Sequence, residues 1–310
     1  MFKNASLFRI ANDFVLPPLD ALDNALQAAR FVPCGATQPE SSGWIAPRGK
    51  KSVALAESVG GQVILKLCTE RRAVPASAVR AALDERIEKY REETGHERVG
   101  AKVKKEFKEE ILLDLLPRAF TKRSATLLWL DAKNRFLVVD SGSLTGADRI
   151  VTLLVEVLSA VPGAGPIMLR PVRTNSSAAV AMSQWLATRE APAGFTVDRD
   201  CELKTPDDQK SAVRYSRHTL EIDEVAQHIA AGKVPTQLAM TWNDRVSFVL
   251  NESAQLRRLK LLDVVMDGVQ AGGKDDDGFD TDAAIFTGEL AGLIPDLLDA
   301  LGGELDDQKN

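Results

Sequence analysis

An amphipathic helix in the first half of the chain limits what this sequence can fold into more than any other stretch. Apolar residues recur there at every fourth position and so share one helix face, namely Val103, Phe107, Ile111 and Leu115. The lysines of the same stretch lie largely off that face, namely Lys102, Lys104, Lys105 and Lys108. Because Pro117 disfavours helical geometry at Leu116, we predict that the helix ends there, with one packing side and one basic, solvated side.

A second amphipathic helix precedes the first one. Its apolar stripe consists of Val79, Leu83, Ile87 and Tyr90. Gly95 and Gly100 separate the two helices, and a short connection that contains glycine is typical of an antiparallel helical hairpin. We therefore predict a helical hairpin over residues 75–117 that projects from the body of the protein as an insertion.

The rest of the chain mixes strand patterns with helix patterns. Gly60-Gly61 and Asn243-Asp244 stand between apolar runs, as the turns of tight β-hairpins do. Helical spacing returns over residues 150–158 and 290–301, whereas the polar stretch 198–211 indicates a loop or a short helix. Hairpins mixed with helices, without regular strand and helix alternation, predict the α+β class with mixed antiparallel sheets.

Four residues that follow the lysine-rich helix are candidates for contact with nucleic acid. Arg118, Phe120, Lys122 and Arg123 lie close together in what we interpret as a loop. Phosphates would bind the charged groups, and a base or a sugar face would contact the aromatic ring. Two ordinary alternatives compete with this interpretation, because a loop phenylalanine usually folds back onto a core and lysines interleaved with glutamates often form a merely solvated face.

Arg217 and His218 form a second candidate, at the end of a strand predicted from the alternation of Val213 and Tyr215. An arginine and a histidine in that position could contact a phosphate or a base. The competing interpretation of His218 is an ordinary surface histidine. The residues alone do not decide between these two readings.

The charge of the chain is unevenly distributed. The net charge is −5, which by itself would count against a nucleic-acid partner. Residues 66–135, however, contain 17 Lys and Arg against 12 Asp and Glu, whereas residues 263–310 contain 2 against 13. Binding depends on the local field, so a basic binding surface is compatible with an acidic total.

Motifs for nucleotide or metal chemistry are missing from the sequence. There is no GxxxxGK[ST] loop, and Gly163-Ala-Gly165 lacks the third glycine of a dinucleotide fingerprint. The acidic run at 275–280 fails as a calcium loop, because Gly273 and Ala284 would occupy positions that require carboxylates. The three cysteines and three histidines show no ligand spacing. We therefore expect no catalytic residue, no metal and no cofactor.

Membrane association is not predicted either. No apolar run reaches the roughly 18 residues that suggest a membrane-spanning helix. The N-terminal segment lacks the continuous apolar core of a signal peptide. We expect a protein of the cytoplasm.

Several segments in this order resemble the RdgC family of recombination-associated DNA-binding proteins. They are KNASLFRI from Lys3, FVPCG at Phe31–Gly35, SGWIAP at Ser42–Pro47, LPRAF at Leu116–Phe120 and FTGELAGLI at Phe286–Ile294. The resemblance extends over nearly the whole chain, although none of these segments is a catalytic signature. It rests on their number and order.

The resemblance implies an architecture and a function. RdgC proteins form a ring from two horseshoe-shaped subunits, and the ring can encircle duplex DNA without reading its sequence. Residues 1–74 and 118–175 would be the central region, 75–117 the tip and 176–310 the base. The family is thought to limit the access of the RecA recombinase to DNA and to act at replication forks, which implies a homodimer associated with the nucleoid. Single-stranded DNA is a second expected ligand.

The resemblance also implies roles for particular residues. Phe120 matches a phenylalanine at the tip of a finger-like projection that is implicated in DNA binding. Arg217 and His218 align with positions where family members can carry lysine and glutamine, so the charge is kept and the amide is not. With Lys102, Lys105 and the cations beside Phe120, these residues form the expected DNA-binding set.

Two other classes of function remain open at this point. In one, the helical hairpin and the acidic C-terminal region dock RecA or another protein, and DNA binding is incidental. In the other, the acidic C-terminal residues bind a metal and cut DNA. The second is the weaker hypothesis, because no set of carboxylates forms a recognisable motif.

Overall fold

The computed structural model describes residues 1–49, 52–163, 165, 167–206, 211–267 and 278–305. Its strands are β1 Asn4–Ile10, β2 Glu40–Trp44, β3 Ala56–Val59, β4 Gln62–Ala73, β5 Phe120–Asp131, β6 Phe136–Val139, β7 Leu169–Pro171, β8 Phe195–Lys204, β9 Ala212–Tyr215, β10 Val234–Trp242, β11 Val246–Asn251 and β12 Leu256–Leu261. Its helices are α1 Leu19–Ala28, α2 Ala76–Thr94, α3 Ala101–Leu115, α4 Leu144–Ser159, α5 Ala178–Thr188, α6 Asp223–Ala230, α7 Asp263–Met266 and α8 Phe279–Ala300. The predicted α+β class is confirmed.

Contacts divide the chain into two compact units. Unit 1 comprises Met1–Leu26, Ala46–Leu65 and Thr126–Asn310. Unit 2 comprises Gln27–Ile45 and Lys66–Ala125. The division into a central region, a tip and a base, which the family resemblance implies, stays a prediction.

Unit 1 is built on an antiparallel sheet with helices against it. Its strands follow the order β5-β6-β1-β12-β11-β10-β8-β9, in which only the second half of β5, from Thr126 to Asp131, belongs to this unit, and β7 also pairs with β1. Apolar side chains from this sheet form a core with α5 and α8, in which Leu238, Leu250 and Leu290 are completely buried. The large helix α8 owes its place to this apolar face.

Both hairpins predicted from turn residues are confirmed. Gly60 and Gly61 connect β3 to β4 with φ angles of 57° and 81°, and Asn243 and Asp244 connect β10 to β11 with φ angles of 46° and 53°. Two consecutive residues with positive φ match the twist of the flanking strands. Asn243 and Asp244 tolerate this conformation better than most residues with a side chain.

The prediction of a loop or short helix over residues 198–211 is wrong for residues 198–204, and residues 207–210 lie outside the described residues. The structure has strand β8 there, paired with β10 on one side and with β9 on the other. Cys201 and Leu203 are buried as core residues of a strand should be, but Glu202 between them is buried as well. The expected alternation of apolar and polar residues is therefore hidden by a charged residue that the fold covers.

Glu202 is stabilised as a carboxylate by three neighbours. Thr236 donates a hydrogen bond to Oε1 at 2.9 Å, and Lys204 and Arg214 form ion pairs with the two carboxylate oxygens. Burial raises the pKa of Glu202, but these hydrogen bonds outweigh burial and lower the pKa to about 2. The ion pair with Arg214 also attaches β9, the edge strand, to β8.

Unit 2 contains the predicted helical hairpin of α2 and α3. Gly95 ends α2 with a φ of 69° and donates a backbone hydrogen bond to Arg91. Tyr90 and Phe107 meet edge to face with their ring centroids 5.6 Å apart. Nevertheless α3 has no buried residue, so the apolar stripe that predicted this helix is only partly covered within the part of unit 2 that the structure describes.

Two further expectations concern a membrane-spanning helix and a calcium loop. Among the described residues, no helix is both long enough and apolar enough to cross a bilayer. The first half of the acidic run that we tested as a calcium loop, residues 275–277, lies outside the described residues, and Phe279 and Asp280 at its end begin helix α8.

A pair of glycines on α8 provides a matched test of its packing. A Cβ atom at Gly292 would lie 2.8 Å from Cη2 of Trp242, whose Nε1 donates to Asp296 at 2.8 Å, whereas a Cβ atom at Gly288 meets nothing within 4 Å. We expect Gly292→Ala to destabilise the protein by about 1–3 kcal/mol, because the indole ring must move. Gly288→Ala should stabilise it by up to about 1 kcal/mol through helix propensity.

The free energy of unfolding, measured with urea for each variant, tests this packing. The two glycines share one helix, so a general effect of alanine on α8 would change both variants in the same direction. Equal stability of the two variants would contradict the close approach of Gly292 to Trp242.

A second prediction concerns Glu202 and pH. Because its folded-state pKa of about 2 lies below the ordinary value of 4.5, the carboxylate stabilises the fold above pH 4.5, and this contribution is lost as the pH falls towards 2. Glu202→Gln should therefore lose about 2–3 kcal/mol at pH 7. The variant should also show a flatter decrease in stability between pH 5 and 2.5, measured by thermal unfolding over that range. An unchanged slope would contradict the assignment.

Candidate nucleic-acid interface

The structure corrects the predicted loop beside the lysine-rich helix. After α3, a 3₁₀ turn spans Leu116–Arg118, and Phe120 begins strand β5, which also carries Lys122 and Arg123. The helix ends where Pro117 predicted, but the cationic segment is a strand. Its first six residues are all exposed, so the sequence contains no buried alternate positions that could have indicated one.

Phe120 is the most exposed large apolar side chain among the described residues, at 89%. A phenylalanine almost entirely in water contributes little to a core, and the alternative that it folds back onto one is therefore excluded. Lys122 is exposed on the same strand, and Arg118 is exposed two residues before Phe120. The segment presents an aromatic ring flanked by cations, as the sequence predicted.

A guanidinium group fixes the backbone on which Phe120 is mounted. Arg72, on β4, donates from Nη1 to the carbonyl oxygens of Leu116 and Ala119, each at 3.3 Å. From its other side, Nε donates to the carbonyl oxygen of Gly35 at 3.1 Å. Ala119, the residue immediately before Phe120, is therefore hydrogen-bonded to β4. This bond restricts the backbone from which the Phe120 side chain extends into solvent. Sequence reasoning missed Arg72.

Arg123 has a partly structural role. It forms an ion pair with Glu70, which is 1% exposed, and its guanidinium lies 5.3 Å from the centre of the Phe31 ring. Glu70 also accepts a hydrogen bond from the backbone N of Cys34 at 2.8 Å. The hydrogen bond from Arg123, followed by that from Cys34, lowers the pKa of Glu70. Arg123 is therefore held in place, with 58% of its side chain still exposed to a further anion.

The predicted lysines on α3 are solvated. Lys102 and Lys105 are both exposed. Nζ of Lys105 lies 3.9 Å from Oε1 of Glu109, one helical turn further on. An exposed pair of this kind contributes only about 0.3–0.5 kcal/mol. Both lysines therefore lie in solvent, as on an ordinary solvated face, and are available to phosphate.

Arg217 and His218 belong to unit 1 and follow β9. Arg217 has a φ of 54°, and its backbone N donates to Oδ1 of Asp200 at 2.7 Å. The backbone N of His218 donates to the carbonyl oxygen of Arg199 at 3.1 Å. Both side chains are exposed, but Nδ1 of His218 lies within hydrogen-bond distance of the carbonyl oxygen of Thr219, at 2.8 Å. The backbone is therefore fixed, and the guanidinium group of Arg217 faces solvent.

The predicted residues fall into two sets. Unit 2 contains Lys102, Lys105, Arg118, Phe120, Lys122 and Arg123. Unit 1 contains Arg217 and His218. Within unit 2, Phe120, Lys122 and Arg123 share one strand. Among the described residues of either unit, no group of three or more His, Cys, Asp or Glu side chains could hold a metal ion.

Comparison with known proteins gives a consistent result over nearly the full length. A family model described as "Putative exonuclease, RdgC" matches residues 1–304. Proteins named recombination-associated protein RdgC are similar to this chain in Dechloromonas aromatica (strain RCB), with 41% identity over 99% of both chains, and in Herminiimonas arsenicoxydans, with 39% identity over 98% of both. The protein of the same name in Bordetella pertussis (strain Tohama I) is 39% identical over 98% of both chains.

Adjacent arginines on β4 allow a matched test of how Phe120 is held. Arg72→Ala should destabilise unit 2 by about 1–3 kcal/mol, because the carbonyl oxygens of Leu116 and Ala119 lose their donor. Amide hydrogen exchange of residues 116–122 should become faster. Arg71→Ala removes only an exposed ion pair with Glu40 and should change the stability by less than about 0.5 kcal/mol. Equal exchange rates in the two variants would show that Arg72 does not fix this segment.

Proposed function

The chain belongs to the RdgC family of recombination-associated proteins, and on this premise we propose that it binds DNA without sequence specificity and encircles duplex DNA as a ring-shaped homodimer. In this proposal it restrains RecA-mediated recombination, acts at replication forks and is associated with the nucleoid in the cytoplasm. Single-stranded DNA is a second ligand of the same contacts. The protein acts by binding, without a catalytic residue, a metal or a cofactor.

The exposure of Phe120 is the observation that supports DNA binding best. Its ring is 89% exposed, and the hydrogen bond from Arg72 to the carbonyl oxygen of Ala119 limits the freedom of its backbone. Stacking of an aromatic ring on a base contributes about 1–3 kcal/mol and tolerates every base, because each base has a π face. Less entropy is lost on binding when the ring is already held in place.

The cations around Phe120 supply the second half of the argument. Lys122 and Arg118 are exposed and, among the described residues, form no ion pair. Arg123 retains an exposed side although it is paired with Glu70. Contacts between such groups and phosphate position a protein on DNA without reading bases. Binding without sequence specificity follows from this chemistry.

Assembly into a ring would reconcile the basic segment with the acidic total charge. The excess of acidic residues over 263–310 and of basic residues over 66–135 would lie on different faces if the basic residues lined the enclosed surface. Encirclement retains the DNA topologically, so each phosphate contact can be weak. The ring itself rests on membership of the family and requires a direct measurement.

A fluorescence titration of a random duplex tests the role of Phe120. Phe120→Ala should weaken binding about 5- to 100-fold, which corresponds to the loss of one aromatic stack. Val53→Ala removes part of another exposed apolar side chain, at 78% exposure, and should change the affinity by less than about twofold.

Lys122→Ser should reduce the slope of log K against log[salt] by about 0.9. Affinity that is unchanged in both site variants would overturn the assignment of the interface.

The same samples distinguish the proposal from its alternatives. Light scattering during gel filtration should give the mass of two chains for the wild type and for Phe120→Ala. If the protein instead regulates RecA by direct contact, inhibition of strand exchange should persist with excess competitor DNA and in Phe120→Ala. Magnesium-dependent degradation of DNA that a chelator abolishes would replace the binding function with a nuclease activity.

A further inference from the structure

A groove of about 820 Å³ in unit 1 has no part in the proposed DNA contacts. It lies beside the paired strands β1 and β7, and four arginines line it, namely Arg9, Arg135, Arg170 and Arg173. Asp13 and Glu304 are the carboxylates of the lining. The groove therefore carries an excess of positive charge.

The four arginines differ in what they already bind. Arg9 forms an ion pair with Glu304 and lies 3.8 Å from the centre of the Phe136 ring, and Arg135 donates to backbone carbonyl groups. Arg170 donates to the sulfur atom of Met168 at 2.8 and 3.1 Å, and thioether sulfur is a weak acceptor.

Arg173 completes the contrast among these side chains. It is exposed and, among the described residues, makes no side-chain hydrogen bond or ion pair. Among the described residues, the guanidinium groups of Arg170 and Arg173 therefore have no charged partner and are available to an anion.

The position of Arg170 makes a bound anion favourable. Arg9 on β1 and Arg170 on β7 are directly opposite each other in the antiparallel register. Like charges in opposite positions on neighbouring strands destabilise a sheet. Glu304 forms an ion pair with Arg9, whereas Arg170 has no carboxylate partner among the described residues, so a second carboxylate at Arg170 would balance its charge.

Apolar side chains line the same groove. Met168 is 48% exposed and Leu305 is 44% exposed, and both are among the few large apolar side chains that the described part of the protein leaves in water. Ile10 and Pro171 extend the apolar part of the wall. The groove thus combines open guanidinium groups with uncovered hydrocarbon surface.

The groove already accommodates one short acidic segment of the chain itself. The backbone N of Leu305 donates to the carbonyl oxygen of Arg173 at 2.9 Å, and that of Asn175 donates to the carbonyl oxygen of Gly303 at 3.0 Å. This extended pairing places the carboxylate of Glu304 on Arg9 and the side chain of Leu305 in the groove lining. A carboxylate followed by an apolar residue is therefore a pattern that this surface binds.

From these observations we propose that the groove is a docking site for an extended acidic peptide segment of another protein. Carboxylates of the peptide bind the guanidinium groups of Arg170 and Arg173 in the bidentate geometry that arginine favours. An apolar side chain of the peptide covers Met168 and Leu305. Duplex DNA fits less well, because its charged sugar–phosphate backbone lies outermost and its stacked bases cannot cover these two apolar side chains.

Titration of the full-length protein with a short labelled peptide of Asp, Glu and Leu tests the proposal. Binding should be saturable, and the double variant Arg170→Ala, Arg173→Ala should weaken it by about tenfold or more. Arg149→Ala, which removes an exposed arginine that does not line the groove, should change the affinity by less than about twofold. Met168→Asp, which places a carboxylate on the apolar wall, should weaken binding as well and serves if the double variant is poorly folded.

Peptides of altered composition and DNA complete the test. Replacing the acidic residues with lysine should abolish binding, and replacing leucine with serine should weaken it. Undiminished binding by the double variant, or equal binding of the leucine-free peptide, would overturn the proposal. DNA affinity should be unchanged in the double variant; a loss would assign the groove to the DNA contacts instead. Because Phe120→Ala leaves this groove intact, failure of the DNA-binding proposal and failure of this one are distinguishable.

Discussion

Hydrogen bonds from one arginine to backbone carbonyl groups determine what unit 2 can present to a partner. Arg72 bonds to the chain on both sides of it, to Gly35 in one loop and to Leu116 and Ala119 at the start of β5. Without this donor, the carbonyl groups of Leu116 and Ala119 would lose hydrogen bonds immediately before β5 begins. An exposed phenylalanine is useful for recognition only if its backbone is held, because otherwise ordering the segment offsets the gain from contact.

The sequence predicted those elements whose residues report local geometry, and it did not predict strands whose burial depends on distant residues. The α2–α3 hairpin and the β10–β11 hairpin could be predicted, since glycine, Asn243-Asp244 and regular apolar spacing report local geometry directly. Strand β8 could not be predicted, because it contains the buried Glu202, whose charge is balanced by an ion pair with Arg214 of the neighbouring strand. The first half of β5 could not be predicted either, because all of its residues are exposed and the sequence there shows no alternation of buried and exposed positions.

The candidate site was predicted only in part for the same reason. Phe120 and its cations lie within six residues of sequence, and the cluster could therefore be recognised from the sequence. Arg72 was not, because its acceptors are backbone carbonyl groups whose positions depend on the fold. Adjacent arginines on a strand point to opposite faces, so Arg71 and Arg72 had to differ in environment, but the sequence does not say which of them faces the loops.

The thin packing of the α2–α3 hairpin has a consequence for the lifetime of the intact chain. Helix α3 has no buried residue. The contacts between the two helices, Tyr90 against Phe107 and Nη2 of Arg86 at 3.5 Å from Oε2 of Glu110, are partly solvated. Separating the helices therefore exposes little additional apolar surface. A protease requires a locally unfolded stretch of backbone, and such stretches arise most often where opening costs least. Among the described residues, limited digestion will therefore cut this hairpin before it cuts the apolar core between α8 and the sheet of unit 1.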